Sequence, residues 1–445
     1  MPAKRGLPAS MGVLLAAMMP FAIRAQQPAS TPSDRLNLTL KEAVQLGLKQ
    51  NPQRLIASLH TAESARTGQI ARSTLLPQAA LAADGALSQY NLQSVEAIHP
   101  RQAAGPFQYI QAGPVFSQTI INLPLIRGYQ IGREGVRQAT AEETVTREDV
   151  VSAVVVQYLL VLRAMATRDA AQARVDLAQR LFNQASELQR TGIGLNIDTV
   201  RANVELLNER QNLIDAETLT RTTKYVLAEL LDLPKEQEID VADRLDFFDL
   251  PAMDRDELVS RALRVRPEIR ALQSEQKIAA LQHKSAAEQR LPDLHFSGFW
   301  FYQGQHFNDG IPAYTYELSM EFPLFTGGRI HAEAERAKLE EQRVAESRRQ
   351  VEAQIVREVK SAYDELTAAR SAVDVANQGF ALANEEVAQA QRRFQAGVTT
   401  NVEVITAQDA LARASDNQIG ALYRFNESRA ALARALGEVE NTYAK

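Results

Sequence analysis

EAVQLGLKQNP at residues 42–52 returns as ELVSRALRVRP at 257–267, an offset of 215, and LLP at 75–77 returns as RLP at 290–292 with the same offset. LPLIRGYQI at 123–131 matches FPLFTGGRI at 322–330 with an offset of 199, and TGIGLNIDTVRA at 191–202 matches AGVTTNVEVITA at 396–407 with an offset of 205. Ordered matches of this kind mark a tandem duplication. Each copy reads as a helix ending at Leu-Pro, two strands, a very long helix, a glycine-containing turn and a second helix. Repeat 1 spans 38–231, with strands at about 78–92 and 107–122 and a helical hairpin at 130–231. A linker follows at 232–252, then repeat 2 at 253–437, with strands at about 293–303 and 314–323 and a hairpin at 329–437, and a tail at 438–445. The drop in offset makes the first copy 16 residues longer between its anchors and places the extra length in a loop around Gln93 to Gly105.

Neither glycine nor proline occurs between Arg137 and Arg190 or between Arg329 and Gln378. At 1.5 Å per residue each helix can run on the order of 75 to 100 Å, longer than a compact domain accommodates. In the second copy Val359, Leu366, Val373, Phe380, Val387 and Phe394 recur every seven residues, interleaved with Ala362, Ala369, Ala376, Ala383 and Ala390. The first copy repeats the pattern with Val154, Val161, Val175 and Phe182 against Ala164, Ala171, Ala178 and Ala185, broken by Arg168. A large residue alternating with alanine on a heptad lets helices approach closely. Taken alone, the seam fits a coiled-coil stalk as well as a helical barrel.

Ten of the 27 aromatic residues lie between Phe296 and Phe325. Leu294, Phe296, Gly298, Trp300 and Tyr302 share one strand face, as do Tyr314, Tyr316, Leu318, Met320 and Phe322, with Thr315, Glu317, Ser319 and Glu321 opposite. Apolar outside and polar inside is the pattern of a membrane barrel, although a soluble hairpin resting on a core shows the same alternation. In the first copy Ala79, Leu81, Ala83, Gly85 and Leu87 make a blander apolar face. Four strands per chain fall short of the roughly eight in the smallest closed membrane barrels. Closure therefore calls for several protomers, and three would supply twelve strands.

Residues 1–25 read as a secretory signal peptide: Lys4 and Arg5, an apolar run from Met11 to Phe21, and a small residue at Ala25. Residues 26–37 look like a flexible leader. No later segment approaches 18 uncharged apolar residues, so a membrane crossing would have to be a β-barrel. The chain has no cysteine, which excludes disulfides, thiolate clusters, thiol catalysis and lipidation of an N-terminal cysteine. The formal charge of −5 becomes −8 without the three cations Lys4, Arg5 and Arg24, which argues against nucleic acid as a partner. The six histidines (His60, His99, His283, His295, His306, His331) lack zinc-ligand spacing. There is no GxSxG, Walker A or GxGxxG, and Gly192 with Gly194 reads as a turn. No catalytic residue, metal site or cofactor is expected.

LTLKEAVQLGLKQNP after the signal, PLFTGGR at 323–329, and the paired tips RTGIGLNID and QAGVTTNVEVITAQ occur in order and in duplicate. On these segments the chain resembles the TolC family of outer-membrane efflux proteins over essentially its whole mature length. The resemblance implies a mixed α/β membrane protein: a homotrimer with a twelve-stranded outer-membrane β-barrel continued by a long periplasmic α-helical barrel, the linker lying at its equator. It implies a passive exit duct of a tripartite efflux or type I secretion system, without enzymatic activity. The implied partners are a periplasmic adaptor (membrane fusion) protein and an inner-membrane transporter of the RND, ABC or MFS type. The alternatives are the adaptor itself or a coiled-coil envelope scaffold; adaptors ordinarily carry one hairpin among Gly- and Val-rich β modules, whereas this chain has two.

The hairpin tips are the expected entrance and adaptor-docking region. Gly192 and Gly397 should break the helices there, and Asn196 and Asn401 should cap the helices that follow. In described members of the family, carboxylates on the returning helices narrow the entrance, and an acid on one hairpin is tied to Tyr and Arg on the other. By position, Asp198 keeps that acid and Glu403 one constricting carboxylate. Thr406 stands in place of the second carboxylate, and Phe394 and Thr399 in place of the Tyr and the Arg, so the lock is weaker or differently made here. Three copies of Glu403 around one axis would form an acidic ring able to bind cations.

Overall fold

The computed structural model describes residues 36–91, 103–248, 253–306 and 308–444. The signal peptide, the leader up to residue 35, most of the longer loop expected around residues 93–105, and Phe307 lie outside the described residues. Leu36 and Asn37, read above as leader, are strand residues.

The first copy comprises β1 (Leu36–Leu38), α1 (Leu40–Gln50), α2 (Pro52–Ser73), β2 (Gln78–Asn91), β3 (Ala103–Ile121), α3 (Leu123–Arg190) and α4 (Asn196–Leu230). β4 (Ile239–Val241) lies in the linker and pairs in parallel with β1. The second copy comprises α5 (Arg255–Val265), α6 (Pro267–Glu288), β5 (Asp293–Gly304), β6 (Ile311–Glu321), α7 (Arg329–Gln395) and α8 (Asn401–Leu436), followed by α9 (Val439–Tyr443).

The repeated Asn-Pro and Arg-Pro anchors are elbows, because the residue before proline is steered away from helix. Asn51 accepts from the Gln53 and Arg54 amides and donates to the Leu230 carbonyl at 2.8 Å, tying the elbow to the end of α4. Arg266 occupies the same elbow in the second copy and is buried. It pairs with Glu268 at 2.8 Å and Glu358 at 2.5 Å, and Arg434 from α8 reaches Glu268 at 2.9 Å. Burial alone would raise the Glu268 pKa, but the Arg266 hydrogen bond and the Arg434 charge outweigh it and hold it at about 2.

α3 starts at Leu123 rather than at 130, because Asn122 Oδ1 accepts from the Leu125 amide at 2.9 Å and Pro124 sits in the first turn. The matching FPLFTGG stays out of helix: Gly327 and Gly328 take φ of +61° and +82°. α3 has 68 residues and α7 has 67, about 100 Å each, and α7 runs through Gly379 unbroken. The long helices pass through two layers. Nearer the strands the lateral order is α2, α3, α6, α7; nearer the tips it is α4, α3, α8, α7. Between the layers a core joins Val154, Val155, Tyr158 and Val161 of α3 to Leu227, Ile239, Val241, Ala430 and Tyr443.

That core explains one departure from expectation. An 18-residue window of α3 is long and apolar enough to cross a membrane, with 56% of it buried inside the molecule. Its apolar residues serve the junction where both copies, the linker and the tail meet.

The sheet has the order β2-β3-β5-β6, antiparallel throughout. Trp300 faces Tyr314, Phe296 faces Leu318 and Leu294 faces Met320, so the apolar faces of β5 and β6 coincide. Trp300, Tyr314, Tyr316, Leu318 and Met320 are all more than half exposed. The opposite face carries Ser297, Glu317, His295 and Ser319, but also Phe299 and Phe301, which stack with centroids 4.7 Å apart. Polar inside therefore holds for part of that face only. β2 and β6 each leave one edge unpaired among the described residues.

Candidate functional site at the hairpin tips

Both turns follow from left-handed glycines. Gly192 has φ of +79° and Gly397 of +70°, and each is exposed, with open space where a Cβ would stand. The preceding helices end with their last carbonyls satisfied by the turn, Gly194 N–H bonding Leu188 O at 2.8 Å and Val398 N–H bonding Arg393 O at 3.0 Å.

The asparagines do not cap. The N-cap of α4 is Leu195 and that of α8 is Thr400, neither with a side-chain cap bond. Asn196 is exposed and accepts from Gln189 Nε2 at 3.0 Å. Asn401 is fully buried: its Nδ2 donates to the Asp198 carbonyl at 2.9 Å, bridging the two hairpins, while its Oδ1 has no bonding partner among the described residues. Each asparagine is instead the first helical residue, one position past the cap.

The acids are paired. Glu403 Oε1 lies 2.9 Å from Arg393 Nε, and Thr399 Oγ1 donates to Glu403 Oε2. The carboxylate expected to contribute to an acidic ring is thus ion-paired within its own chain, with Thr399 as a further donor. Asp198, mostly buried, lies 3.9 Å from Arg201. Phe394 is buried in a cluster with Leu181, Ala185, Ala202, Val387, Ala390, Val404 and Ala407, drawn from all four helices of the two hairpins. Thr406 is exposed and bonds back to Val402 O at 2.9 Å. Ile193, Leu195, Val398 and Val402 are exposed at the tips.

Of the seam, Ala164, Ala171, Ala178, Ala185, Ala362, Ala369, Ala383 and Ala390 are buried, whereas Ala376 is only partly covered. Four residues on, Phe380 lines a cavity of about 1080 Å³ between α3, α7, α8 and the linker residues Val241 to Leu245. Residues with no sequence motif complete the region. Glu205 of α4 is half-buried, and its pKa is raised by burial first and then by the charges of Asp409 on α8 and Glu209. Glu209 in turn holds Arg174 at 3.1 Å. No short-range pattern marks Glu205 or Arg393: the register between hairpins sets the first against Asp409, and the register within one hairpin sets the second against Glu403.

Residues 258–438 match the Outer membrane efflux protein family. Over 407 residues the chain is 22% identical to the outer membrane protein TolC of Vibrio cholerae, covering 89% of this chain and 90% of that one. It is 25% identical to the pyoverdine export outer membrane protein OpmQ of Pseudomonas putida over 60% of this chain and 57% of that protein. In structure it is similar to the CmeC outer membrane channel of Campylobacter jejuni, with a TM-score of 0.80 at 17% identity over 90% of this chain and 86% of that one. It is likewise similar to the outer membrane protein VceC of Vibrio cholerae, with a TM-score of 0.77 at 19% identity over 90% and 96%.

Proposed function

We propose, from the premise that this chain belongs to the outer membrane efflux protein family, that three copies close into one passive exit duct whose hairpin tips dock a periplasmic adaptor. The family is one of channels rather than enzymes. The chain is an outer-membrane efflux duct with a periplasmic helical part. The observation that carries the proposed assembly is the four-stranded sheet with two unpaired edges. A membrane leaves no water to satisfy those edges, and joining β6 of one copy to β2 of the next removes them all.

Exposed apolar residues support the same closure. α4 exposes Val200, Val204, Leu207, Ile214 and Leu219, α2 exposes Ile56, Leu59 and Ile70, and α7 on the far side exposes Leu339, Val375 and Leu382. Stacking copies side by side covers these faces and continues each four-helix layer into a twelve-helix ring. Ile193, Leu195 and Val398 then stand on the rim farthest from the strands, an apolar fringe suited to an adaptor that couples the duct to an energised inner-membrane transporter. Light scattering on detergent-solubilised protein should give the mass of three chains; a stable, folded monomer would overturn the reading.

A further inference from the structure

The sheet face turned away from the lipid-facing aromatics is layered along the strands. One rung is Gln78, Ser117, Ser297 and Glu317, and beyond it towards the hairpin loops come Ala80, Val115, Phe299 and Thr315. The next rung is Ala82, Gly113, Phe301 and Ala313, with Phe301 lying against Gly113. Polarity then returns on three strands with Asp84, Gln111 and Gln303, Gln111 donating to Asp84 at 3.3 Å, while β6 places the exposed Ile311 in this rung. An apolar band about 7 Å tall thus lies between polar rungs: both of its rungs cross β2, β3 and β5, and on β6 it continues through Ala313, with Thr315 breaking the Phe299 rung.

The lumen face of a water-filled barrel is ordinarily polar, and apolar area left in water costs free energy. Phe301 has a structural reason to be there. Gly113 takes no side chain, since a Cβ would lie 2.0 Å from the Trp300 carbonyl, and the Phe301 ring covers the bare backbone, leaving the residue 6% exposed. Phe299 has no such duty. It stacks on Phe301 at an interplanar angle of 19° and stays half-buried, facing the lumen.

We propose that this band is a cargo-contact surface, taking amphiphilic organic compounds with an aromatic or alkyl part as they cross the barrel, with the partly open Phe299 as its principal aromatic member. The proposal rests on the reading of three chains as one duct. Closure would carry the band round the lumen as a ring, because its Ala82–Gly113–Phe301–Ala313 rung spans the sheet from β2 to β6.

The test is current through the full-length protein in planar bilayers, with tetraphenylphosphonium or tetramethylammonium added on the barrel side. Tetraphenylphosphonium should interrupt the wild-type current at concentrations where tetramethylammonium, of equal charge, does not. Phe299→Ser should raise the half-effect concentration about threefold to tenfold, while Ser297→Ala, one rung below, leaves it unchanged. Thr315→Phe, which adds a ring beside Phe299, should lower it, and keeps the proposal open to refutation where the Ser variant fails to assemble. Equal sensitivity in wild type and both ring variants, or equal potency of the two cations, would overturn the cargo surface while leaving the duct intact. Wild-type protein that forms no channel at all would overturn the duct reading and this one with it.

Discussion

Asn196 and Asn401 are the first residues of the two returning helices, 205 positions apart in matched copies, yet they do different work. Asn196 is exposed and bonds within its own tip; Asn401 is fully buried and bonds across to the other. The matched acids diverge likewise. Asp198 finds Arg201 on its own helix, while Glu403 finds Arg393 on the preceding one. By contrast Ala202 and Ala407, also matched, are both buried in the same apolar cluster. Duplication supplies the same backbone twice, and what closes over each position then decides whether its side chain is held or free.

The sharpest way to break this comparison is through the positions that agree. Ala202→Leu and Ala407→Leu should each destabilise the protein by about 1–3 kcal/mol through overpacking, read as a shift of the denaturant midpoint. A silent change at either would mean that the cluster is one-sided. Next come the positions that differ. Asn401→Ala removes the bridge to the Asp198 carbonyl and should cost about 1 kcal/mol, whereas Asn196→Ala should stay within about 0.5 kcal/mol. Equal losses in the same titration would cancel the asymmetry. Gly192→Ala and Gly397→Ala strain left-handed backbone without any clash, so each should cost about 1 kcal/mol, and nearly the same amount. The smallest effect concerns pH. Glu205 has a raised pKa in the folded protein, so the packing it joins is favoured when it is protonated: its contribution is full below the unfolded value near 4.5 and is lost as pH rises through the folded value. Melting temperature followed from acid to neutral pH should therefore fall less steeply in Glu205→Gln than in wild type.

The architecture was legible where local chemistry repeats. An elbow needs X-Pro, a reversal needs a left-handed glycine, and a close helix seam needs alanine at fixed spacing, so Asn51-Pro52, Arg266-Pro267, Gly192, Gly397 and the alanine columns all announce themselves. What escaped depends on two distant segments meeting. Whether Asn401 caps its helix or bridges to Asp198 turns on a single residue in the end of the preceding helix. Whether Glu403 is ion-paired turns on Arg393, ten positions earlier and on the other helix of the hairpin. The inner band escaped for a subtler reason: Phe299 and Phe301 lie among outward aromatics, and an alternating pattern of aromatic on both sides hides its own inner half.

The two long helices run from the strand junction to the tips without a break, and that continuity has a mechanical consequence. A rod of about 100 Å held at mid-length has an arm of about 50 Å to its end and converts rotation into travel there of roughly 0.9 Å for each degree. Because α3 is gripped at mid-length by the buried core around Tyr158 and α7 by the pairing of its Glu358 with Arg266 of the Arg266–Glu268–Arg434 cluster, that level is the natural fulcrum. A tilt of a few degrees at that level, smaller than the crossing-angle scatter of ordinary helix pairs, moves the tips by the diameter of a small solute.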